Sequence, residues 1–215
     1  MKRLVLPRLY VILDAGLLTI PETECAEKLA AAGVRLLQYR NKQASARELF
    51  ESSKRLSSLL LPQGVTFVVN DRADVAAAAE ASGVHVGQED LGAEAARSVV
   101  GAGKLLGIST HNLDQFRDAA ATSADYVAVG PVFSTLTKAN PDPVVGIELI
   151  RRVRRLTDKP IVAIGGITLE RAAEVIQEGA DSVAVVGDML RAPDPGLRAR
   201  QYIELLEAAK PAAAF

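Results

Sequence analysis

Short apolar runs alternate along this chain with longer stretches in which apolar residues return every three or four positions. The apolar runs are Leu9–Asp14, Leu36–Arg40, Thr66–Asn70, Gly83–Val86, Leu105–Ser109, Tyr126–Gly130, Ile161–Gly165 and Ser182–Val186. Several are rich in β-branched residues, and most show no alternation of apolar and polar positions. Continuous apolar strands are what a parallel sheet needs when both of its faces are covered. Helical spacing occupies Glu22–Ala32, Ser45–Leu60, Asp74–Ala81, Ala93–Val100, Asn112–Ala121, Ile147–Leu156, Leu169–Glu178 and Gly196–Ala209. Ser45, with Glu48 three residues on, reads as a capping box; Thr168 is a second cap candidate, followed by Arg171 rather than an acid. Gly33, Gly83 and Gly179 follow helices, where a left-handed terminator is expected.

Strict alternation of strand and helix leaves a closed barrel or an open doubly wound sheet. The first strand-to-helix turn, Leu13-Asp14-Ala15-Gly16, lacks the glycine-rich loop of a dinucleotide site. The count of units and the chain length favour a single-domain (β/α)8 TIM barrel over residues 1–215. Only residues 210–215 read as a frayed tail.

Composition changes this picture little. Hydrophobic residues make up 49% of the chain, enough for a large core, and the formal net charge is −1, with no basic block. Nucleic acid is therefore not an expected partner. No apolar segment approaches membrane-spanning length, and Met1-Lys2-Arg3 leads directly into a strand-like run, so a cytoplasmic protein is expected. Cys25 is the only cysteine, which excludes an internal disulfide and a multi-cysteine metal site; its neighbours suggest an inert thiol. The oligomeric state stays open, and a homo-oligomer is compatible with the sequence.

Barrels of this kind keep their chemistry at the carboxyl ends of the strands. Those ends hold Gln38-Tyr39-Arg40-Asn41-Lys42, Asn70-Asp71-Arg72, Gly87-Gln88-Glu89-Asp90 and Ser109-Thr110-His111. Farther on come Thr135-Leu136-Thr137-Lys138, Gly165-Gly166 and Gly187, and the opposite rim is expected to be poorer in charged pairs. Arg40 and Lys42 project to one side if the strand runs through both, and Lys138 adds a third cation. Asp71 and Asp90 follow neighbouring strands, a spacing that suits Mg2+ or Mn2+, which accept one or two protein carboxylates. The glycine ends of the last two strands are the usual phosphate place of the fold. A diphosphate beside a monophosphate fits both anion sites. Simpler roles stand beside these: Asn70 or Asp71 as a helix cap, His85 as a core residue, and His111 as either an acid–base group or a cap.

These residues resemble the thiamine phosphate synthase family. The resemblance is carried by Q-Y-R-N-K at 38–42, N-D-R-A-D-V-A at 70–76, G-V-H-V-G-Q-E-D-L at 83–91 and G-I-S-T-H at 107–111. It continues through D-Y-V-A-V-G-P-V-F at 125–133, T-L-T-K at 135–138 and A-I-G-G-I at 163–167, in order over roughly residues 8–190. It implies a transferase of thiamine biosynthesis that joins 4-amino-5-hydroxymethyl-2-methylpyrimidine diphosphate to 4-methyl-5-(2-phosphooxyethyl)thiazole and releases pyrophosphate. The resemblance assigns the pyrimidine diphosphate to Gln38, Arg40, Lys42, Asn70, Ser109 and Lys138, with Arg40, Lys42, Lys138 and Ser109 as the catalytic set. Magnesium falls to Asp71 and Asp90. The thiazole phosphate falls to Thr135, Thr137, Gly166, Val186 and Gly187, and the loop of residues 135–138 is implied to close over the substrates. Ser134 departs from a frequent proline, and Gly187 from a frequent serine.

Two alternatives remain at this stage. A thiazole tautomerase-like isomerase shares the barrel and the Ser109–His111 region, but has no use for the diphosphate and metal residues. A non-catalytic precursor-binding regulator would be expected to lack some of the cations or carboxylates that are present here.

Overall fold

The computed structural model describes residues 4–135, 137 and 142–209. Lys138 and the tail at 210–215 lie outside the described residues. Eight parallel strands close into a barrel in sequence order. They are β1 (Leu9–Asp14), β2 (Leu36–Arg40), β3 (Thr66–Asn70), β4 (Gly83–Val86), β5 (Leu105–Thr110), β6 (Tyr126–Val129), β7 (Ile161–Ile164) and β8 (Ser182–Val185). Pairing of Leu9 with Val183 joins β1 to β8. The surrounding helices are α1 (Glu22–Ala31), α2 (Ala46–Leu60), α3 (Ala73–Ala78), α4 (Ala93–Val100), α5 (Leu113–Ala121), α6 (Ile147–Arg154), α7 (Leu169–Gln177), α8 (Gly187–Leu190) and α9 (Pro195–Ala208). No helix among the described residues is long and apolar enough to cross a membrane.

The two faces of the strands build two cores. Odd positions of β1 (Leu9, Val11, Leu13) pack outward with the helices, as do Leu37 and Tyr39 of β2. Tyr10, Ile12, Leu36, Val68, Tyr126, Ala128, Val162 and Ala184 fill the interior. Both faces are dry, which is why the strands read as unbroken apolar runs. The period of two survives only toward the carboxyl ends, where Asp14, Gln38, Arg40 and Asn70 continue the inward-facing set.

Ser45 and Glu48 form the expected reciprocal capping box of α2. Thr168 occupies the cap position of α7 but makes no capping hydrogen bond; its hydroxyl is engaged with Glu170. Gly33 and Gly179 are left-handed, as anticipated. Gly83 is not a helix terminator: it opens β4, where a Cβ would stand 2.1 Å from the Leu105 carbonyl oxygen, so only glycine lets β5 approach.

The amino-terminal rim holds more charge than its sequence suggested, and the charge is structural. Asp125 accepts from Arg97 at 2.6 Å and from the Leu106 backbone at 2.8 Å. Asp181 repeats the device, accepting from Arg154 at 2.6 Å and the Ile161 backbone at 2.8 Å. Each carboxylate ties a helix to the start of a strand. Cys25 is buried, and burial pushes its thiol up to about 11, so the thiolate is scarce at neutral pH.

Candidate active site

The carboxyl ends of the strands surround one cavity of about 1130 Å³. Gln38, Arg40, Lys42, Asn70, Asp71, Asp90, Ser109, Thr135, Thr137, Gly166, Val186 and Gly187 all line it. Every expected site residue within the described residues is thus brought to one mouth.

On one side sit the charges. Arg40 ends β2 and pairs with Asp14, its register partner at the end of β1. Asp14 is buried and also accepts the Gly16 backbone N–H at 3.0 Å. Lys42 lies beyond β2, so the condition on which both cations would project from one strand is not met; Lys42 turns to Asp71. Asp71 sits one residue past β3 with a φ of 64° and donates its backbone N–H to the His85 carbonyl at 2.7 Å. Aspartate tolerates this left-handed conformation better than most residues, and such outliers concentrate at working sites. Neither Asn70 nor Asp71 caps α3; the cap position is Arg72, which makes no capping bond. The helix-cap reading of that motif is therefore set aside.

Asp90 comes from the loop after β4 and accepts the Gly87 backbone N–H at 2.8 Å. Its carboxyl is held above the usual aspartate range, first by burial and then by the facing Asp71 carboxyl, with Gly87 and Lys42 opposing the shift. Two carboxyls that close, without a cation between them, repel as charged groups. The pair is a hard-oxygen donor set with Lys42 as its neighbouring cation, an environment a magnesium ion fits with water and phosphate oxygens filling its shell. Among the described residues no larger His, Cys, Asp or Glu cluster suits a metal.

The opposite side is neutral backbone ringed by arginine. Gly165 and Gly166 have φ values of 98° and 64°. A Cβ on Gly166 would stand 2.3 Å from the Ser134 carbonyl oxygen, because the segment after β6 lies directly over this turn. That segment is tied to β7 by Val132 donating to Ile164 and Phe133 donating to Gly165. The Arg171 guanidinium lies 4.6 Å from the centre of the Phe133 ring. Gly187 opens α8, a short extra helix after β8 that the sequence reading did not anticipate, in the place where this fold commonly binds phosphate. Arg171, Arg191 and Arg198 also line the cavity there, none of them expected from the sequence as a site residue.

Between the two sides lie the histidines. His111 approaches the Gly130 carbonyl through Nδ1 at 2.7 Å, and its Nε2 is 3.6 Å from Asp142. It caps nothing; Asn112 caps α5 by accepting from the Gln115 backbone. His85 is buried as expected, but it is wired: Nδ1 lies 2.9 Å from the Tyr126 hydroxyl and Nε2 lies 2.8 Å from Ser109 Oγ.

The model of the family described as thiamine monophosphate synthase matches residues 9–189. The chain belongs to that family. A thiamine-phosphate synthase of Koribacter versatilis is 52% identical over 210 residues, covering 94% of this chain and 97% of the relative. Another, of Chloroflexus aurantiacus, is 43% identical over 93% of this chain and 92% of its own length. Among solved structures, thiamine phosphate pyrophosphorylase from Pyrococcus furiosus superimposes with a TM-score of 0.85 at 33% identity, covering 94% of this chain and 96% of that one. The matched span holds every expected site residue, from β2 through Gly187, and ends at Met189, before Arg191 and Arg198. Membership of the synthase family makes the chain an enzyme of the transferase class.

Proposed function

We propose that this chain joins the pyrimidine diphosphate to the thiazole phosphate with loss of pyrophosphate, and that it uses Mg2+ to do so. The observation that carries the reading is the facing Asp71–Asp90 carboxyl pair, set beside Arg40 and Lys42 in the same cavity as the Gly166–Gly187 rim. A thiazole-only isomerase has no use for the first group, which disfavours it.

In this reading the C–O bond between the pyrimidine methylene and the diphosphate breaks, and pyrophosphate leaves with the electron pair. The ring stabilises the resulting cation, and the thiazole nitrogen supplies its lone pair to form the new C–N bond. That nitrogen carries no proton, so no protein base is required. Asp71 and Asp90 would hold the ion, whose chemistry is Lewis-acid stabilisation of the leaving oxygens. Arg40, Lys42 and Lys138 would bind the diphosphate and stabilise the charge that develops on it. To do this, Arg40 and Lys42 share or exchange their present partners, Asp14 and Asp71. Gln38, Asn70 and Ser109 would orient the pyrimidine, with Ser109 close to the reacting centre. Thr135, Thr137, Gly166 and the backbone at Val186–Gly187 would hold the thiazole phosphate, and the 135–138 segment would exclude water from the cation.

The test is direct. Protein is mixed with both substrates and either Mg2+ or EDTA, and thiamine phosphate is followed after oxidation to its fluorescent thiochrome. Product that depends on magnesium is expected. Folded protein that makes none under either condition would overturn the reading.

A further inference from the structure

Behind the cavity, five side chains from five strands form one hydrogen-bonded row. Gln38 on β2 donates from Nε2 to the Tyr10 hydroxyl on β1 at 2.7 Å. The Tyr10 and Tyr126 hydroxyls are 3.0 Å apart. Tyr126, on β6, then meets His85 Nδ1 at 2.9 Å, and His85 Nε2 meets Ser109 Oγ at 2.8 Å. Tyr10 and Tyr126 are 1% and 0% exposed, and burial holds both phenols well above their ordinary range, so both remain proton donors. The rings are also packed: Tyr10 meets Tyr126 edge-on, and Tyr126 stacks on His85. Gly107 makes the joint possible. A Cβ there would stand 2.3 Å from the Tyr126 hydroxyl and 2.5 Å from His85 Nδ1.

One arrangement of protons satisfies the row from Gln38 to Ser109. An amide nitrogen donates and cannot accept, so the Tyr10 oxygen receives from Gln38 and its own proton can pass to Tyr126. Tyr126 then donates to His85 Nδ1. In that arrangement the ring nitrogen that accepts carries no proton, so His85 would be the tautomer protonated on Nε2 and would donate to Ser109. Ser109 accepts from behind and has its own proton to give toward the cavity. At the other end, Gln38 is left with its carbonyl oxygen as an acceptor.

We propose that Tyr10, Tyr126 and His85 are positioning residues that hold Gln38 as acceptor and Ser109 as donor, and so select a 4-aminopyrimidine over a 4-oxopyrimidine. The proposal rests on the reading of Gln38 and Ser109 as pyrimidine contacts. An aminopyrimidine edge offers an amino donor beside a ring-nitrogen acceptor, which complements that pair. The oxo compound offers an N–H donor beside a carbonyl acceptor and meets the same pair with both signs reversed. Opposed polar groups in a buried site are rejected strongly, since each is left unpaired.

Two measurements test this. Nitrogen-15 NMR of the resting protein reads the histidine tautomer, and with two histidines in the chain, His111→Gln leaves the His85 signals alone. The second measurement is kcat/KM for the 4-amino and 4-oxo pyrimidine diphosphates, in the wild type, Tyr126→Phe and Tyr10→Phe. We expect Nε2 protonated in the wild type and a strong preference for the amino substrate. That preference should fall at least tenfold in either phenylalanine variant, with KM for the thiazole phosphate unchanged. A merely structural role would lower turnover on both pyrimidines alike and leave their ratio intact. A flipped Gln38 amide would run the row backwards, so Nδ1 protonated in the wild type would overturn the proposal. Unchanged selectivity in both phenylalanine variants would overturn it too. If wild-type protein turned over neither pyrimidine, the reaction itself and this selectivity would fall, while the NMR result would still decide the direction of the row.

Discussion

Asp90 and Asp71 face each other with their carboxyls in hydrogen-bonding reach, and the pair meets the cavity beside Lys42. Burial and the Asp71 carboxyl raise the folded-state pKa of Asp90 above the ordinary aspartate value of 3.8. The folded protein therefore binds more protons than the unfolded chain from about that pH up to the raised value. In metal-free protein, stability should fall as pH rises through this window, and the penalty is complete above it. Mg2+ should raise Tm at neutral pH and have little effect near pH 4. Asp90→Asn should raise the metal-free Tm at neutral pH and abolish the magnesium response. A magnesium shift of equal size in Asp90→Asn would place the ion elsewhere.

Arg40 and Asp14 are register partners at adjacent strand ends, and Asp14 is buried. Arg40→Ala leaves a buried carboxylate with its Gly16 contact alone, at a cost of about 1–3 kcal/mol. Removing both partners in Arg40→Ala/Asp14→Ala should recover much of that stability but none of the lost turnover. Denaturant melts and kcat/KM on the four corners of this double-mutant cycle measure both.

At Gly187 the space for a side chain is present. A Cβ would meet Thr137 Oγ1 at 3.4 Å and the Arg191 guanidinium at 3.9 Å, both ordinary contacts. Gly187→Ser should fold with unchanged Tm. If its hydroxyl reaches the thiazole phosphate, KM for that substrate should fall by about threefold to tenfold at constant kcat, the worth of a net hydrogen bond of ~1 kcal/mol. An increased KM would mean that the serine crowds the site.

Asp71→Ala and Lys138→Ala should each depress turnover by about a hundredfold or more, the usual size for loss of a group that stabilises developing charge. Their melting temperatures should change far less. Equal losses of activity and stability would mark these residues as structural.

Most of the mouth was legible because its chemistry is local in sequence. Gln38, Arg40 and Asn70 are the last inward residues of apolar strands, and Asp71 and Asp90 lie in the loops that follow. The alternation of Leu37 and Tyr39 with Gln38 and Arg40 was the clearest trace of an inside and an outside. Asp14 carried the same signal at the end of β1, but an isolated carboxylate in a turn has no partner visible in sequence.

By itself the sequence determined the alternation of eight strands with their main helices, the rim at which the candidate site residues gather, and the family, since all three depend on residue type at short or fixed spacing. Only the tertiary structure decided the pairings. Arg40 chooses Asp14, Lys42 chooses Asp71, and Gln38 is joined to Ser109 through Tyr10, Tyr126 and His85. Tyr10 and Tyr126 are 116 residues apart and read as ordinary apolar strand residues. Closure of the barrel puts their hydroxyls together in a dry interior, and a buried hydroxyl must find a partner there.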